Sequence, residues 1–220
     1  MSGSWLRGLR RRQQPVATRW IMIDVETTGL DPRSDELLCV AALAMDLRHD
    51  APQLVVADSF EVVLRQSHPT ASHDNVLLHG IGWGQQRQGL PAPEALTQLS
   101  RWVGDSPLLA YHAAFDQQVL QQAFKRQRMA QPHWSWLDLA DLLPAAFPEI
   151  EARSLDRWMQ ALGVRCVQRH QAAADVWASA QLFLKAWPRW QSQGLSSWAA
   201  LARKADEVRW LRVSASAPRM

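Results

Sequence analysis

The stretch Ile21-Met22-Ile23 runs directly into Asp24, with Glu26 two residues later and Thr27-Thr28-Gly29 behind it. An uninterrupted apolar run of this kind reads as a strand covered on both faces. On a strand the side-chain period is two, so Asp24 and Glu26 point to the same side. Two carboxylates at the end of a buried strand are costly unless something cationic meets them. The following Thr-Thr-Gly supplies turn chemistry that closes the strand. The segment therefore predicts a strand whose end presents two acids to a positive charge.

The surroundings predict the rest of the scaffold. Residues 35–47 form a second apolar run and 58–66 a third with partial alternation, joined through the hairpin-like turn residues of HDAPQL (49–54). Ala95, Leu99, Trp102 and Val103 recur at helical spacing and are ended by Gly104. A short strand is expected within 106–116, followed by a helix whose face carries Val119, Leu120, Ala123 and Phe124. Further helices are expected at about 135–143, 154–162, 171–187 and 195–211. Strands first, with helices crowding the second half, imply an α/β domain around a mixed central β-sheet flanked by α-helices.

Composition narrows the class. With 220 residues, 47% of them hydrophobic, the chain can bury one sizeable core. No apolar stretch approaches the roughly 20 residues of a membrane span. Residues 1–20 carry five arginines and no acid, without an apolar signal core, so they read as a basic arm. Residues 185–220 carry seven basic side chains against two acids, while 21–184 hold 19 acids against 12 basic groups. An acidic body with basic ends suits a metal site beside a polyanion, and solvated tails explain the ends equally well. Cys39 and Cys166 have no metal-ligand spacing and read as reduced structural thiols of a cytoplasmic protein. The 12 tryptophans are expected mainly in the core, although Trp can also stack on bases.

Two further carboxylates join the first pair. Asp116 falls at the junction between a short strand and its helix, and Asp175 near the start of the helix beginning around 171. His170, five residues before Asp175, falls on the preceding loop. Four hard oxygen donors without a Cys/His cluster suit Mg²⁺ or Mn²⁺ rather than zinc.

In that order, DVETTGL (24–30), YHAAFD (111–116) and HQAAAD (170–175) resemble the three motifs of the DnaQ-like 3′–5′ exonucleases of the DEDDh class, which have an RNase H-like fold. HGIG (79–82) and the helix after it resemble that family's H-G-I segment, and the likeness runs from about 20 to 187. The resemblance implies that Asp24, Glu26, Asp116 and Asp175 hold two divalent cations. It makes His170 the general base for the attacking water, a role suited to an unperturbed pKa of about 6.5. Thr28, Gly29 and Leu30 would line the terminal nucleotide's pocket. His79 would lie beside the terminal nucleotides or simply pack, and Phe115 would stack near the pocket or fill core. Asp138 and Asp141 read as capping or surface residues. Tyr111 and His112 stand where the family usually has His and Asn. Cys39 and Ala41 replace its acid and glycine on the second strand, which reads as a packing change.

The function so implied is removal of nucleotides, one at a time, from single-stranded or unpaired 3′ ends, with DNA favoured over RNA. The alternatives are an exoribonuclease and a catalytically silent module that binds nucleic acid or a polymerase. An active exonuclease docked on a replication or repair complex combines both. The domain organisation expected is an arm at 1–18, an exonuclease domain at 19–187 and a helical extension at 188–220. On that extension, Trp198, Leu201, Ala205, Val208 and Leu211 share a face that packs on the domain or docks a partner.

Overall fold

A computed structural model describes residues 18–49, 51–68, 76–77 and 79–216, with side chains as far as residue 211. The arginine-rich arm, apart from Thr18, lies outside the described residues. Three strands come first: β1 (Arg19–Thr27), β2 (Leu37–Asp46) and β3 (Gln53–Val63). Helices α1 (Trp83–Gln88) and α2 (Ala92–Val103) follow, then β4 (Leu108–Ala110), α3 (Ala113–Arg126), β5 (Trp136–Asp138) and α4 (Leu139–Ala146). The chain continues through α5 (Leu155–Leu162), α6 (Ala172–Ser192) and α7 (Trp198–Ser216).

The five strands form one mixed sheet in the order β3-β2-β1-β4-β5. β1, β2 and β3 pair antiparallel, whereas β4 and β5 extend the sheet parallel to β1. The α/β expectation holds, with three corrections of detail. β3 begins at Gln53, inside the segment read as a turn. The strand expected within 106–116 is only three residues long, and Ala113–Asp116 already belong to α3. The helix expected from 135 starts at Leu139, because Trp136–Asp138 pair with β4 as an edge strand. A three-residue strand is too short to show periodicity, so pairing rather than pattern defines it.

Strand parity divides the core. On β1, Trp20 and Met22 join α6 through Val176, Ala180, Phe183 and Trp187. Ile21, Ile23 and Val25 face the other way, against Leu96 and Leu99 of α2 and Val119, Leu120 and Phe124 of α3. Both faces are thus covered, which accounts for the continuous apolar character of β1 and β2. Trp20 meets Phe183, Trp187 and Trp198 edge-on at centroid distances of 6.1, 6.2 and 5.0 Å. Trp158, Trp187 and Trp190 are buried, as expected of core tryptophans, whereas Trp177 and Trp210 are exposed. α6 runs through Pro188 without a break, and α7 places Leu201 and Ala205 in the same core as Trp20. Toward its end, that helix exposes Trp210 and Leu211.

Candidate active site

The parity that buries Trp20 and Met22 carries Asp24 and Glu26 onto the α6 side of the sheet, where β1 runs out of apolar residues. Asp175 sits in the first turn of α6, directly before Val176, which with Ala180 anchors that helix to the sheet. One ligand oxygen from each of Asp24, Glu26 and Asp175 falls within 4.8 Å of the others. Asp116 is not in that set. It arrives from the opposite layer, on the face of α3 shared with Val119 and Leu120, and its Oδ1 accepts the Val25 N–H at 3.1 Å.

The charges are crowded and poorly solvated. Burial, and then the neighbouring Asp116, Glu26 and Asp175, hold the Asp24 carboxyl well above the ordinary range. Burial and Asp175 push Glu26 up to about 8. Asp116 is raised as well, chiefly by burial, against the N–H bonds that favour its charged form. A cluster of this kind binds its protons tightly or gives them up to a cation.

Asp175 already has protein partners on both oxygens. Its Oδ2 accepts the His170 N–H at 3.1 Å. Its Oδ1 receives the Cys166 thiol at 3.7 Å and forms an ion pair with the Arg169 guanidinium. Arg169 is held on its other side by Asp156, at 2.6 Å. Sequence reasoning missed Arg169, and no signal in the sequence sets it apart from Arg165 four residues earlier. Its charge also lowers the carboxyls of Asp24 and Glu26.

His170 lies on the turn before α6 with an exposed ring and a left-handed backbone, φ 61°. His112, at the start of α3, is left-handed too, φ 66°, and its N–H donates to Asp138 Oδ1 at 3.0 Å. Asn and His both tolerate this conformation better than most residues, which accounts physically for His at this position. Asp138 also caps α4, accepting from the Ala140 N–H at 2.8 Å. Asp141 is not a surface residue: it is buried, and it pairs with Arg209 of α7 at 3.3 Å.

A cavity of about 610 Å³ opens over the carboxylates. Gly29, Leu30, His79 and Phe115 line it together with His170 and all four acids, and Leu30 stands 91% exposed at its mouth. Phe115 does two things at once, bordering the cavity and packing on the α2–α3 core. Thr28 is placed differently from the expectation. Its hydroxyl donates to Asp35 Oδ1 and accepts the Glu36 N–H, both at 2.9 Å, while Thr27 borders the cavity instead. Gly29 is needed for close approach, since a Cβ there would lie 2.5 Å from Asp35. His79 is 3% exposed; its Nδ1 accepts the Ile81 N–H at 3.0 Å, and burial lowers its pKa. The ring is therefore neutral with its proton on Nε2, an atom that has no partner among the described residues.

Cys39 and Ala41 are the cross-strand partners of Glu26 and Asp24. The departures noted in the second strand thus border the acids directly, and burial with the neighbouring acids pushes the Cys39 thiol up to about 12.

A mixed sheet with carboxylates converging from a strand end and two helices defines an RNase H-like nuclease scaffold. Residues 21–183 match the family described as Exonuclease. The chain belongs to the exonuclease family, on the DnaQ-like side that its three motifs indicate. It is 26% identical over 166 residues to the PolC-type DNA polymerase III of Bacillus cereus, covering 76% of this chain and 11% of that one. With the Staphylococcus epidermidis counterpart the identity is 25% over 185 residues, covering 84% and 12%. The chain thus spans only about a tenth of the length of these relatives. The fold matches E. coli Exonuclease I in complex with a dT13 oligonucleotide, TM-score 0.69 at 19% identity, covering 80% of this chain and 42% of that one. It also matches the cell-death related nuclease CRN-4, TM-score 0.67 at 13% identity, covering 76% and 63%.

Proposed function

We propose that this chain is a divalent-cation-dependent 3′–5′ exonuclease that shortens single-stranded or unpaired 3′ ends, DNA in preference to RNA. The observation that carries the reading is the convergence of Asp24, Glu26 and Asp175, with Asp116 beside them, under a cavity that also holds His170. The donor set fits the cation: all oxygen, hard, and held by burial in a state that a positive charge relieves. Bound Mg²⁺ or Mn²⁺ would supply Lewis-acid stabilisation of phosphate charge and a more acidic water. His170 takes the proton of the attacking water, its exposed ring being free to reach it while Asp175 fixes its backbone. Leu30 and Phe115 border the terminal base, and the His79 Nε2–H is offered to the terminal nucleotide. Gly29 keeps the entry loop close.

A second groove, of about 960 Å³, shares Tyr111, His112 and Ser154 with the carboxylate cavity and carries Arg153 and Arg157 beside Glu151. It gives an unpaired strand a basic path to the site. The preference for DNA rests on kinship with replicative polymerases and on a fold shared with an enzyme seen bound to dT13. That kinship also supports a partner in replication or repair.

The test is cleavage of 3′- and 5′-labelled single-stranded DNA and RNA with Mg²⁺, Mn²⁺ or EDTA, beside Asp24→Asn and His170→Ala. We expect a cation-dependent ladder receding from the 3′ end of DNA, lost in both variants. Faster loss of RNA would make the chain an exoribonuclease. Binding without cleavage would make it a silent nucleic-acid module.

A further inference from the structure

Arg169 is the one lysine or arginine among the described residues that line the cavity, and the proposed chemistry leaves it unused. Its guanidinium spans from the exposed Asp156 to the buried Asp175, and its charge also reaches Asp24 and Glu26. Asp175 Oδ2 accepts the His170 N–H and Oδ1 carries both the Cys166 thiol and Arg169, so an incoming cation would compete with the guanidinium for this carboxylate. A guanidinium and a divalent cation on one carboxylate repel each other across a poorly solvated gap. Meanwhile Asp156 holds the guanidinium at Nε, so leaving Asp175 requires a pivot and not a departure. The pivot would take place within the cavity where a phosphate would sit, and guanidinium is the side-chain group whose fork best matches phosphate oxygens.

We propose that Arg169 couples substrate to cation: it is the resident counter-ion on Asp175 until a nucleotide phosphate draws it off, so that phosphate and divalent cation assist each other's binding through this side chain. Arg169 is a positioning residue in this scheme. The inference rests on the divalent-cation reading of the four carboxylates.

The experiment is Mn²⁺ binding by electron paramagnetic resonance, on the full chain, without turnover. It compares wild type, Arg169→Gln, Arg169→Lys and Asp24→Asn, each with and without a deoxynucleoside 5′-monophosphate. Without nucleotide, Arg169→Gln binds Mn²⁺ about tenfold more tightly than wild type, a factor ordinary for coupled sites. With nucleotide, that advantage collapses to within about twofold, because wild-type Arg169 has then moved to the phosphate. Arg169→Lys keeps one charge but cannot span two carboxylates, so it falls between the two, and it carries the comparison if the Gln variant does not fold. Weaker or unchanged Mn²⁺ binding in a folded Gln or Lys variant overturns the proposal and makes Arg169 a structural clamp. Wild type that binds no more Mn²⁺ than Asp24→Asn overturns the cation reading itself, and this inference with it.

Discussion

Single side chains carry most of what is testable about the cavity. His79 offers a desolvated N–H with no partner among the described residues, so His79→Leu should lower kcat/KM on single-stranded DNA roughly tenfold, the worth of one hydrogen bond to substrate. Loss of the acceptor for the Ile81 N–H should also cost about 1–3 kcal/mol of stability, which a melting curve reads separately from steady-state kinetics. Gly29→Ala should act through Asp35. A Cβ 2.5 Å from that carboxylate displaces it from Thr28 and the Asp31 N–H. The expected cost is about 1–2 kcal/mol in denaturant unfolding. The residues differ in how far their sequence announced them. Asp24 and Glu26 were legible because an apolar run ending in acids with period two has few physical meanings. Arg169, Thr28 and Asp141 were not. Arg169 and Thr28 bond to near neighbours in the chain, but the loop conformations that select those partners carry no periodic signature, and whether Asp141 meets solvent or Arg209 depends on a helix from the far end of the chain.

Among the elements, α6 joins stability to chemistry. Its first turn delivers Asp175, and its later turns bury Phe183, Trp187 and Trp190 against Trp20 and α7. Trp190→Ala should therefore cost about 3–5 kcal/mol in denaturant unfolding, as large-to-small changes in a packed core do. Because the substitution lies four turns from Asp175, cation affinity in the folded variant should stay close to wild type. The helices of the second half were readable from their apolar period, to within a few residues at each end. β4 was read as a strand but over too long a span, and β5 was not read at all, because three residues paired only with β4 carry no periodicity. α3 shows the functional consequence: it starts earlier than the sequence suggests, and so Asp116 enters the site from a helical turn rather than from a strand end.

For the whole molecule, the carboxylate cluster makes stability depend on pH and cation together. Glu26 ionises near 4.5 when unconstrained and near 8 in the fold, and Asp24 and Asp116 shift the same way. Between those values the folded chain binds more protons than the unfolded one, so metal-free stability falls as pH rises through that window. Thermal melts in EDTA should show Tm dropping from pH 5 to pH 8. Saturating Mg²⁺ or Mn²⁺ should abolish most of the drop, because the cation takes over the role of the protons. Glu26→Gln should flatten the metal-free profile as well.

By itself, the sequence determined the α/β class, the acids at the end of the first strand, the three ordered motifs and the core placing of Trp158, Trp187 and Trp190. These are local properties, written in periodicity and in short fixed spacings. The tertiary structure alone decided that Asp24, Glu26 and Asp175 share a space 4.8 Å wide with Asp116 at its edge, and that Cys39 and Ala41 lie across from the acids. It also placed Arg169 on Asp175 and gave His79 a buried N–H without a partner among the described residues. Those facts come from the register of β1 against β2 and from the packing of α3 and α6 on opposite faces of one sheet. The meeting of Asp24 and Val25 with Asp175 and Asp116 joins residues some 90 to 150 positions apart in the sequence, and no local pattern encodes it.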